Sequence, residues 1–406
     1  MRLPRRALLA GTAAAALPLS PGRAQRPKVR IGVLNDQSGP YRDTTGMTSV
    51  ICTRQAALDF GDHGFDVEVI AADHQNKPDV GATIARQWID NDSVDVIADV
   101  PTSSVALAVA QVCREKDKIH LNASATAVAL TGEQCSPNTI VWSFDTYMMA
   151  VSSGAAAVKA GGDSWFFITA NYAFGHSLEE QTTLQVKKAG GTVKGAVRYP
   201  FPDTTDFSSF LYQAKSSGAK VLGLANAGGD TVNSVKQAHE FGLAQSGMLI
   251  APMLMFISDV HALGLEIASG LTLTESFYWD LNDRTRAFAK RIIPQSPRNY
   301  PNQAHASSYS STLHYLKAVK DMGVAEARRS GAATVARMKA MPTDDDAFGP
   351  GSIREDGRGL FPAYLFRVKT AAESKGEWDL YNLLATTPGP EAARPLGDSG
   401  CKMGKA

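Results

Sequence analysis

Short runs of β-branched and aromatic residues alternate along the chain with segments whose apolar residues recur at helical spacing. Residues 80–90 and 103–115 show this helical period. Strand-like runs that alternate with helices of about 10 to 15 residues predict β-α-β units and a parallel sheet. The predicted strands are residues 29–34, 67–71, 94–98, 119–122, 165–169, 193–199, 221–225 and 248–251.

The strand and helix pattern occurs twice, and this repetition predicts two related α/β lobes rather than one large sheet. We assign residues 26–143 and 278–343 to the first lobe and residues 146–274 and 346–386 to the second. The last stretch, 387–406, is rich in Pro and Gly and is predicted to be a tail on the surface.

Three segments are predicted to connect the lobes. Residues 140–147 form a strand that crosses to the second lobe, and after a β-rich run at 270–278 the helical stretches 283–293 and 303–322 return to the first. Residues 353–369 are predicted to form a hairpin that turns at an Asp-Gly-Arg-Gly sequence. Three crossings at one edge would make a hinge.

The first 24 residues have the layout of an export signal. A basic start precedes an apolar stretch at 7–17 and small residues at Gly22 and Ala24, and the apolar stretch is too short for a membrane anchor. The Arg-Arg pair resembles a twin-arginine signal, although ordinary secretory signals also carry two arginines. No Cys follows the apolar stretch, so no lipid anchor is expected. We therefore expect an exported protein.

Composition narrows the class of protein. The 406 residues, 44% of them hydrophobic, suit two domains of ordinary size. The 41 Lys and Arg residues against 40 Asp and Glu residues supply no electrostatic field for nucleic acid. Nothing in the sequence indicates oligomerisation, so a monomer is expected.

Export would place the four cysteines in an oxidising compartment. Cys113, late in a predicted helix, and Cys135, after a turn-rich stretch, are predicted to form a disulfide. Cys52 and Cys401 are either a second pair or two free thiols. No spacing resembles a metal site.

The chain shows none of the motifs that mark nucleotide, dinucleotide, redox or zinc-protease chemistry. Residues 397–400 read Gly-Asp-Ser-Gly but lie in the tail, and Gly175-His176-Ser177 lacks the second glycine of a nucleophile elbow. The three aspartates at 344–346 lack the spacing of a calcium loop. We expect no enzyme and no cofactor.

Two turns of small polar residues follow predicted strands, where open α/β sheets bind ligands. Residues 101–104 read Pro-Thr-Ser-Ser and residues 123–126 read Ala-Ser-Ala-Thr. Hydroxyls and backbone N–H groups at a helix start hold a carboxylate without arginine. The alternative is that Ser103 and Ser124 are simple helix N-caps. Two such turns facing one crevice favour a binding site.

An ordered set of motifs resembles the leucine/isoleucine/valine-binding family of periplasmic receptors, the ligand-binding components of ABC importers. The resemblance covers about residues 28 to 385 and implies the type I periplasmic binding protein fold, with two Rossmann-like lobes, parallel sheets and a three-stranded hinge. It also implies permease and ATPase subunits as partners. The motifs are Ile31-Gly32-Val33-Leu34, Ser38-Gly39-Pro40, Asp73, Thr102-Ser103-Ser104, Asn122-Ala123-Ser124-Ala125-Thr126 and Tyr172-Ala173-Phe174-Gly175.

The resemblance implies where the ligand is held. In this family the serine turn and the Ala-x-Thr turn hold the ligand carboxylate, and an aromatic residue opens the first helix of the second lobe. An early tyrosine follows the Ser-Gly-Pro motif at a different spacing. Carried over to this chain, these positions are Ser103, Ser104, Ala123, Ser124, Thr126, Phe174 and Tyr41.

One departure from the family pattern concerns the ligand. Amino-acid binders place a carboxylate after the last strand of the second lobe, where this chain has Pro252-Met253-Leu254-Met255-Phe256. An ammonium buried there would lack a partner, at a cost of several kcal/mol. Met253 and Phe256, with Tyr278 and Tyr147, are predicted to form a pocket for a flat ring, although plain core packing is the alternative.

We therefore expect a receptor for a small organic acid, and similarity to the subgroup that binds benzoates and hydroxycinnamates points to an aromatic one. A second hypothesis keeps the fold and binds a branched-chain or other amino acid, with Asp230 pairing the ammonium. Helix capping is the alternative role for Asp230. A third hypothesis is a sensory domain that reports its ligand to a membrane partner.

Overall fold

Each of the eight runs predicted as sheet strands forms one in the computed structural model, which describes residues 26–154, 157–158 and 161–403. The predicted crossing strand at 140–147 is shorter, because the strand ends at Val141 and a helix begins at Thr146. The predicted export signal at 1–24 lies outside the described residues. The strands are β1 (Lys28–Asn35), β2 (Asp66–Asp73), β3 (Val96–Asp99), β4 (Ile119–Asn122), β5 (Thr139–Val141), β6 (Ser164–Ala170), β7 (Thr192–Tyr199), β8 (Val221–Ala225), β9 (Leu249–Pro252), β10 (Thr272–Glu275), β11 (Ser352–Ile353), β12 (Gly359–Leu360), β13 (Ala363–Val368) and β14 (Tyr381–Thr387).

Helices separate most of these strands. They are α1 (Gly46–Phe60), α2 (Pro78–Asp90), α3 (Ser103–Glu115), α4 (Thr146–Met149), α5 (Ala173–Lys188), α6 (Ser208–Ser216), α7 (Gly229–Glu240), α8 (Ile257–Leu263), α9 (Leu265–Ala268), α10 (Asp283–Ile292), α11 (Gln303–Met322), α12 (Val324–Arg329), α13 (Gly331–Ala340) and α14 (Gly389–Ala392). A π-helix spans Ala150–Gly154, and 3-10 turns span Val128–Thr131, Ile293–Gln295 and Leu396–Asp398. Within the described ranges, no helix is long and apolar enough to span a bilayer.

Two parallel sheets form the centres of two lobes, as the repeated pattern predicts. The first has the strand order β2-β1-β3-β4-β5 and the second β7-β6-β8-β9. Every residue of the central strand β6 is buried, because helices cover both faces of a parallel sheet. Gly32 of β1 allows such close packing, since a Cβ there would lie 2.5 Å from the Trp88 ring of α2.

The helices that follow the second sheet return to the first. On one side of the first sheet α1 packs against α10 and α11, and on the other α2 packs against α3. Phe288 of α10 and Leu316 of α11 are fully buried in the same apolar cluster as Val33 of β1. The first lobe is therefore built from two separate stretches of chain.

The third crossing differs from the predicted hairpin over 353–369. Ile353 pairs with Gly359 in a short β11–β12 hairpin, and Arg358 bridges to Val141 of β5. This places the start of the predicted second-lobe segment 346–386 beside the first sheet. Strand β13 instead pairs with β10 and β14 in a separate antiparallel sheet. The sequence alternation identified the strands but not their partners.

The predicted Cys113–Cys135 disulfide is wrong. Cys135 pairs with Cys401, with 5.7 Å between their Cα atoms. Cys113 lies in the apolar core behind α3, where its thiol is 3.7 Å from the carbonyl oxygen of Ile119. It and Cys52 are buried free thiols in the part of the chain that the structure describes. The tail after β14 therefore returns to the first lobe and is covalently fixed there.

Candidate functional site

Two cavities lie where the lobes face each other. The inner cavity measures about 20 Å³, which is room for about one water molecule. The outer cavity, nearer the cleft mouth, measures about 560 Å³. The inner cavity is lined by Tyr41, Thr44, Thr45, Pro101, Ser124, Thr126, Tyr172, Phe174, Ala227, Leu254, Phe256 and Ala304.

The turn after β3 brings Pro101 to the inner cavity through an unusual backbone. Asp99 and Val100 have φ angles of 74° and 58°, in the left-handed region that β-branched residues avoid. The Val100 N–H donates to the carbonyl oxygen of Leu34 at 3.1 Å, which holds the turn against β1. Such strain persists where the surroundings fix it, and it concentrates at binding sites.

Of the two predicted serines at the start of α3, neither lines the cavity. Ser103 is fully buried, and its hydroxyl oxygen accepts the N–H groups of Thr126 at 3.3 Å and Ala127 at 3.2 Å. Ser103 therefore ties the two polar turns together. Ser104 is half-buried and Ala123 is buried, and neither is among the residues that line either cavity.

Ser124 and Thr126 do line the inner cavity, as predicted. The Ser124 hydroxyl donates to Oδ1 of Asp99 at 2.5 Å. The other oxygen of Asp99 accepts from Nδ2 of Asn35 at 3.0 Å. Burial raises the pKa of the Asp99 carboxyl to about 6, because the charged form loses its water. A titratable group thus stands directly behind a hydroxyl of the cavity wall.

Aromatic side chains from both lobes close the inner cavity. Phe174 and Phe256 of the second lobe line it, together with Tyr41 of the first lobe, as the sequence predicts. The Tyr41 hydroxyl bonds to that of Tyr172 across the cleft, and Phe201 stacks on the Tyr172 ring at 4.3 Å. The two lobes therefore touch through the aromatic wall of the site.

The loop after β1 holds Tyr41 in this position. Asp36 is fully buried and accepts the N–H of Tyr41 at 2.8 Å, and it also accepts from Nδ2 of Asn76. Thr44 and Thr45 donate their hydroxyl hydrogens to the Tyr41 carbonyl at 3.0 and 3.1 Å. These hydroxyls are therefore already committed within the first lobe.

Gly175 lets α5 start close to the sheet. A Cβ at this position would lie 2.0 Å from the carbonyl oxygen of Ala170, at the end of β6. This contact leaves no room for a side chain, so the helix brings Tyr172 and Phe174 directly over the strand end. The glycine of the Tyr-Ala-Phe-Gly motif thus positions the aromatic pair.

Three residues predicted for the pocket lie elsewhere. Met253 is buried in the core beside Leu254. Tyr278 packs against Tyr381 in the core of the second lobe, and its hydroxyl is 3.5 Å from the carbonyl oxygen of Trp378. Tyr147 is half-buried, with Asp145, Asp398 and Arg394 as its charged neighbours. Met253 and Tyr278 therefore fit the alternative of plain core packing.

Asp230 lines the outer cavity at the start of α7 and is buried. It accepts the hydroxyl hydrogen of Tyr199 at 2.7 Å. Burial raises the pKa of Asp230 to about 7, and the bond from Tyr199 opposes this shift. Its charge also acts on the Tyr41 and Tyr172 hydroxyls, so Asp230 lies beside the junction of the two cavities.

Sequence reasoning missed several wall residues. Tyr172 belongs to the Tyr-Ala-Phe-Gly motif, in which the resemblance implies a ligand contact for Phe174 alone. Ala304 lies at the start of α11, far along the chain from the other wall residues, so no local sequence pattern indicates that it lines the cavity. The remaining wall residues outside the prediction are Thr44, Thr45, Pro101, Ala227 and Leu254.

Comparison with known proteins agrees with this architecture. The sequence model of the periplasmic binding protein family matches residues 28–376. A periplasmic binding protein from Burkholderia mallei, known from its crystal structure, is 44% identical in sequence to this chain. The two structures match with a TM-score of 0.89, and the match covers 93% of this chain and 99% of that one. A branched chain amino acid ABC transporter periplasmic ligand-binding protein from Burkholderia xenovorans is 35% identical, with a TM-score of 0.79 over 92% and 99%.

More distant proteins extend the comparison. The Leu/Ile/Val-binding protein homolog 6 of Brucella melitensis is 28% identical over 279 residues, covering 66% of this chain and 68% of that protein. A solute binding protein from R. palustris in complex with benzoate is 20% identical and shares the fold, with a TM-score of 0.79 over 92% of this chain and 99% of that one. Proteins of this kind are receptors of ABC transporters, which confirms the expectation that the chain is not an enzyme. This chain belongs to the periplasmic binding protein family and is a periplasmic substrate-binding protein of the ABC-transporter type.

Proposed function

We propose that this receptor binds a small aromatic carboxylate in the inner cavity. The observation that carries the proposal is the make-up of the wall, which combines the rings of Tyr41, Tyr172, Phe174 and Phe256 with the hydroxyls of Ser124 and Thr126. Rings in such a wall offer edge and face contacts to a flat ligand. Hydroxyls at the strand ends suit its carboxylate.

The absence of a carboxylate in this wall argues against an amino acid. Among the described residues that line the inner cavity, none is Asp or Glu. A ligand ammonium placed there would be buried without an ionic partner. The R. palustris protein in complex with benzoate has the same fold, so this fold is compatible with an aromatic acid.

Binding requires the cleft to open. About 20 Å³ does not hold a benzene ring, and the Tyr41 and Tyr172 hydroxyls bond to each other across the gap. A ligand therefore enters when the lobes separate, and closure then buries it between them. The closed form is the one that the permease and ATPase subunits of an importer would recognise, and we propose that the receptor acts as a monomer.

A thermal-unfolding screen of the protein without residues 1–24 tests the ligand class. Benzoate or 4-hydroxybenzoate at about 100 times its dissociation constant should stabilise the protein by about 2.7 kcal/mol, whereas leucine and valine should leave the midpoint unchanged. A shift with leucine and none with either acid would contradict the proposal.

The name of the B. xenovorans protein and the position of Asp230 favour a second candidate, a branched-chain amino acid. Asp230→Asn separates the two. If an ammonium pairs with Asp230, the variant should lose about 100-fold in leucine affinity, because a buried charge loses its partner. For an aromatic acid we expect less than about a threefold change. Asp163→Asn, an exposed carboxylate of the second lobe, is the matched control.

A further inference from the structure

The hydrogen bonds around the inner cavity leave few hydrogens for a ligand carboxylate. Thr44 and Thr45 donate to the carbonyl of Tyr41, and the Tyr41 and Tyr172 hydroxyls bond to each other. Among the described residues lining this cavity, none is Lys, Arg or His. The hydroxyls of Ser124 and Thr126, with the one hydrogen that the Tyr41–Tyr172 bond does not use, are therefore the side-chain donors that remain for an anion.

Ser124 does not have its hydrogen free while Asp99 is ionised. The hydroxyl donates to Oδ1 of Asp99 at 2.5 Å, and an ionised carboxylate only accepts. In that state Ser124 turns a lone pair toward the cavity, which repels a ligand carboxylate oxygen. A protonated Asp99 reverses the bond: its O–H donates to Oγ of Ser124, whose own hydrogen then turns to the ligand.

We infer that Asp99 acts through Ser124 as a positioning residue, so that the receptor captures an organic carboxylate by taking up one proton on Asp99. This inference rests on the proposed function and adds a coupling between ligand binding and pH. The proton comes from solvent, stays on the oxygen of Asp99 that faces Ser124, and leaves again when the ligand departs.

The surroundings of Asp99 suit this role. Asp99 is fully buried, and Nδ2 of Asn35 on β1 donates to its other oxygen, so only Oδ1 is left to carry the proton. Burial raises the pKa of Asp99 to about 6 against the opposing effect of its hydrogen bonds, those from Ser124 and Asn35 among them. A ligand anion beside Ser124 would raise this pKa further, because like charges disfavour each other's ionisation.

Among the described residues, the groups that pack around Asp99 supply no compensating cation. On α1, Ser49 lies beside it, and the Cys52 thiol is neutral because burial and the charge of Asp99 raise the thiol pKa. On α11, His305 bonds to the carbonyl of Thr45, and burial lowers its pKa to about 3. Asp99 is thus the titratable group that bonds to a hydroxyl of the inner-cavity wall, with a pKa of about 6. Asp230, which lines the outer cavity, has a pKa of about 7 but bonds to Tyr199 instead.

Calorimetric titration with benzoate and 4-hydroxybenzoate between about pH 5.5 and pH 8 tests the inference on the wild-type protein. Affinity should fall toward tenfold per pH unit above the Asp99 pKa, because only the protonated fraction is competent. Titrations in two buffers of different ionisation enthalpy should show uptake of about one proton at pH 8. Equal affinity at both ends of the range, with no proton uptake, would overturn the inference and leave the proposed function intact.

Two variants test whether the pH dependence of ligand affinity comes from the Asp99–Ser124 pair. In Asp99→Asn the amide oxygen still accepts from Asn35 and the amide hydrogen donates to Ser124, so the affinity should be high and independent of pH. Ser124→Ala should bind weakly at every pH without proton uptake. Either variant with the wild-type pH profile overturns the inference.

Asp73→Asn provides the matched control. Asp73 accepts from the Ser38 hydroxyl at 2.6 Å at the end of β2, and Ser38 lines the outer cavity but not the inner one. This variant should keep the wild-type profile, and loss of the pH dependence there would count against Asp99. If neither acid binds the wild type at any pH, the proposed function and this inference fall together.

Discussion

Replacing Arg358 with Met should lower the free energy of unfolding by about 3–5 kcal/mol, because it leaves a buried carboxylate without its partner. Arg358 donates from Nε to Oδ2 of Asp145 at 2.9 Å, and the two side chains are only 2% and 3% exposed. Asp145 begins the second lobe at the N-cap of α4, and Arg358 belongs to the hairpin beside β5. The pair therefore joins two of the segments that connect the lobes.

Urea denaturation measures this loss, and two further variants make it specific. Arg367→Met removes an exposed pair with Glu373 and should cost less than about 1 kcal/mol. Asp145→Asn combined with Arg358→Met should recover part of the loss, because the new amide keeps an oxygen for the Met148 N–H but carries no charge. Equal losses for Arg358→Met and Arg367→Met would show that the buried pair has no special role.

The sequence predicts those features that depend on local periodicity. Strands such as β6 are read from runs of apolar residues, and the order of strands and helices leads to two parallel sheets. Ser124 and Thr126 were predicted because ligands bind at the carboxyl ends of parallel strands, and Phe174 because of the family resemblance; all three line the inner cavity. For Ser124 and Thr126 the local rule and the architecture agree on the position at the cavity wall, and their contact with a ligand stays a prediction.

Features that depend on distant contacts were not predictable in this way. Ser103 reads as a ligand hydroxyl, yet its oxygen is occupied by the backbone of the neighbouring turn. Tyr278 is an aromatic residue of the kind that lines ligand pockets. An aromatic side chain near a connection between lobes can point into the cleft or into the core, and that of Tyr278 packs into the core. The role of Asp99 was invisible because its partner Ser124 lies one strand away.

Cysteine pairing shows the same limit. Cys135 and Cys113 are near each other in sequence, which made them the natural pair, whereas the true partner Cys401 is 266 residues away. Nothing local to Cys401 indicates that the tail crosses back from the second lobe. Which cysteines form the disulfide depends on where the tail contacts the folded first lobe.

Removing the Cys135–Cys401 bond should also destabilise the protein, by about 2–5 kcal/mol. The bond closes a loop that contains the whole of the second sheet, so its loss frees a long stretch of the unfolded chain. We expect Cys135→Ser/Cys401→Ser to unfold at lower urea concentration than the wild type. Reductant should lower the midpoint of the wild type and leave that of the double variant unchanged.

The same bond should decide whether the tail stays on the first lobe. Without it, the tail is held by contacts such as those of Arg394, whose guanidinium donates to the carbonyl oxygens of Val128 and Ser399. Limited proteolysis should then cut the double variant after β14 faster than the wild type. Cys113→Ala keeps the bond and is the control, because Cys113 lies in the core, away from the tail. If Cys113→Ala behaved like the double variant, Cys113 would be part of the bond and the pairing with Cys401 would be wrong.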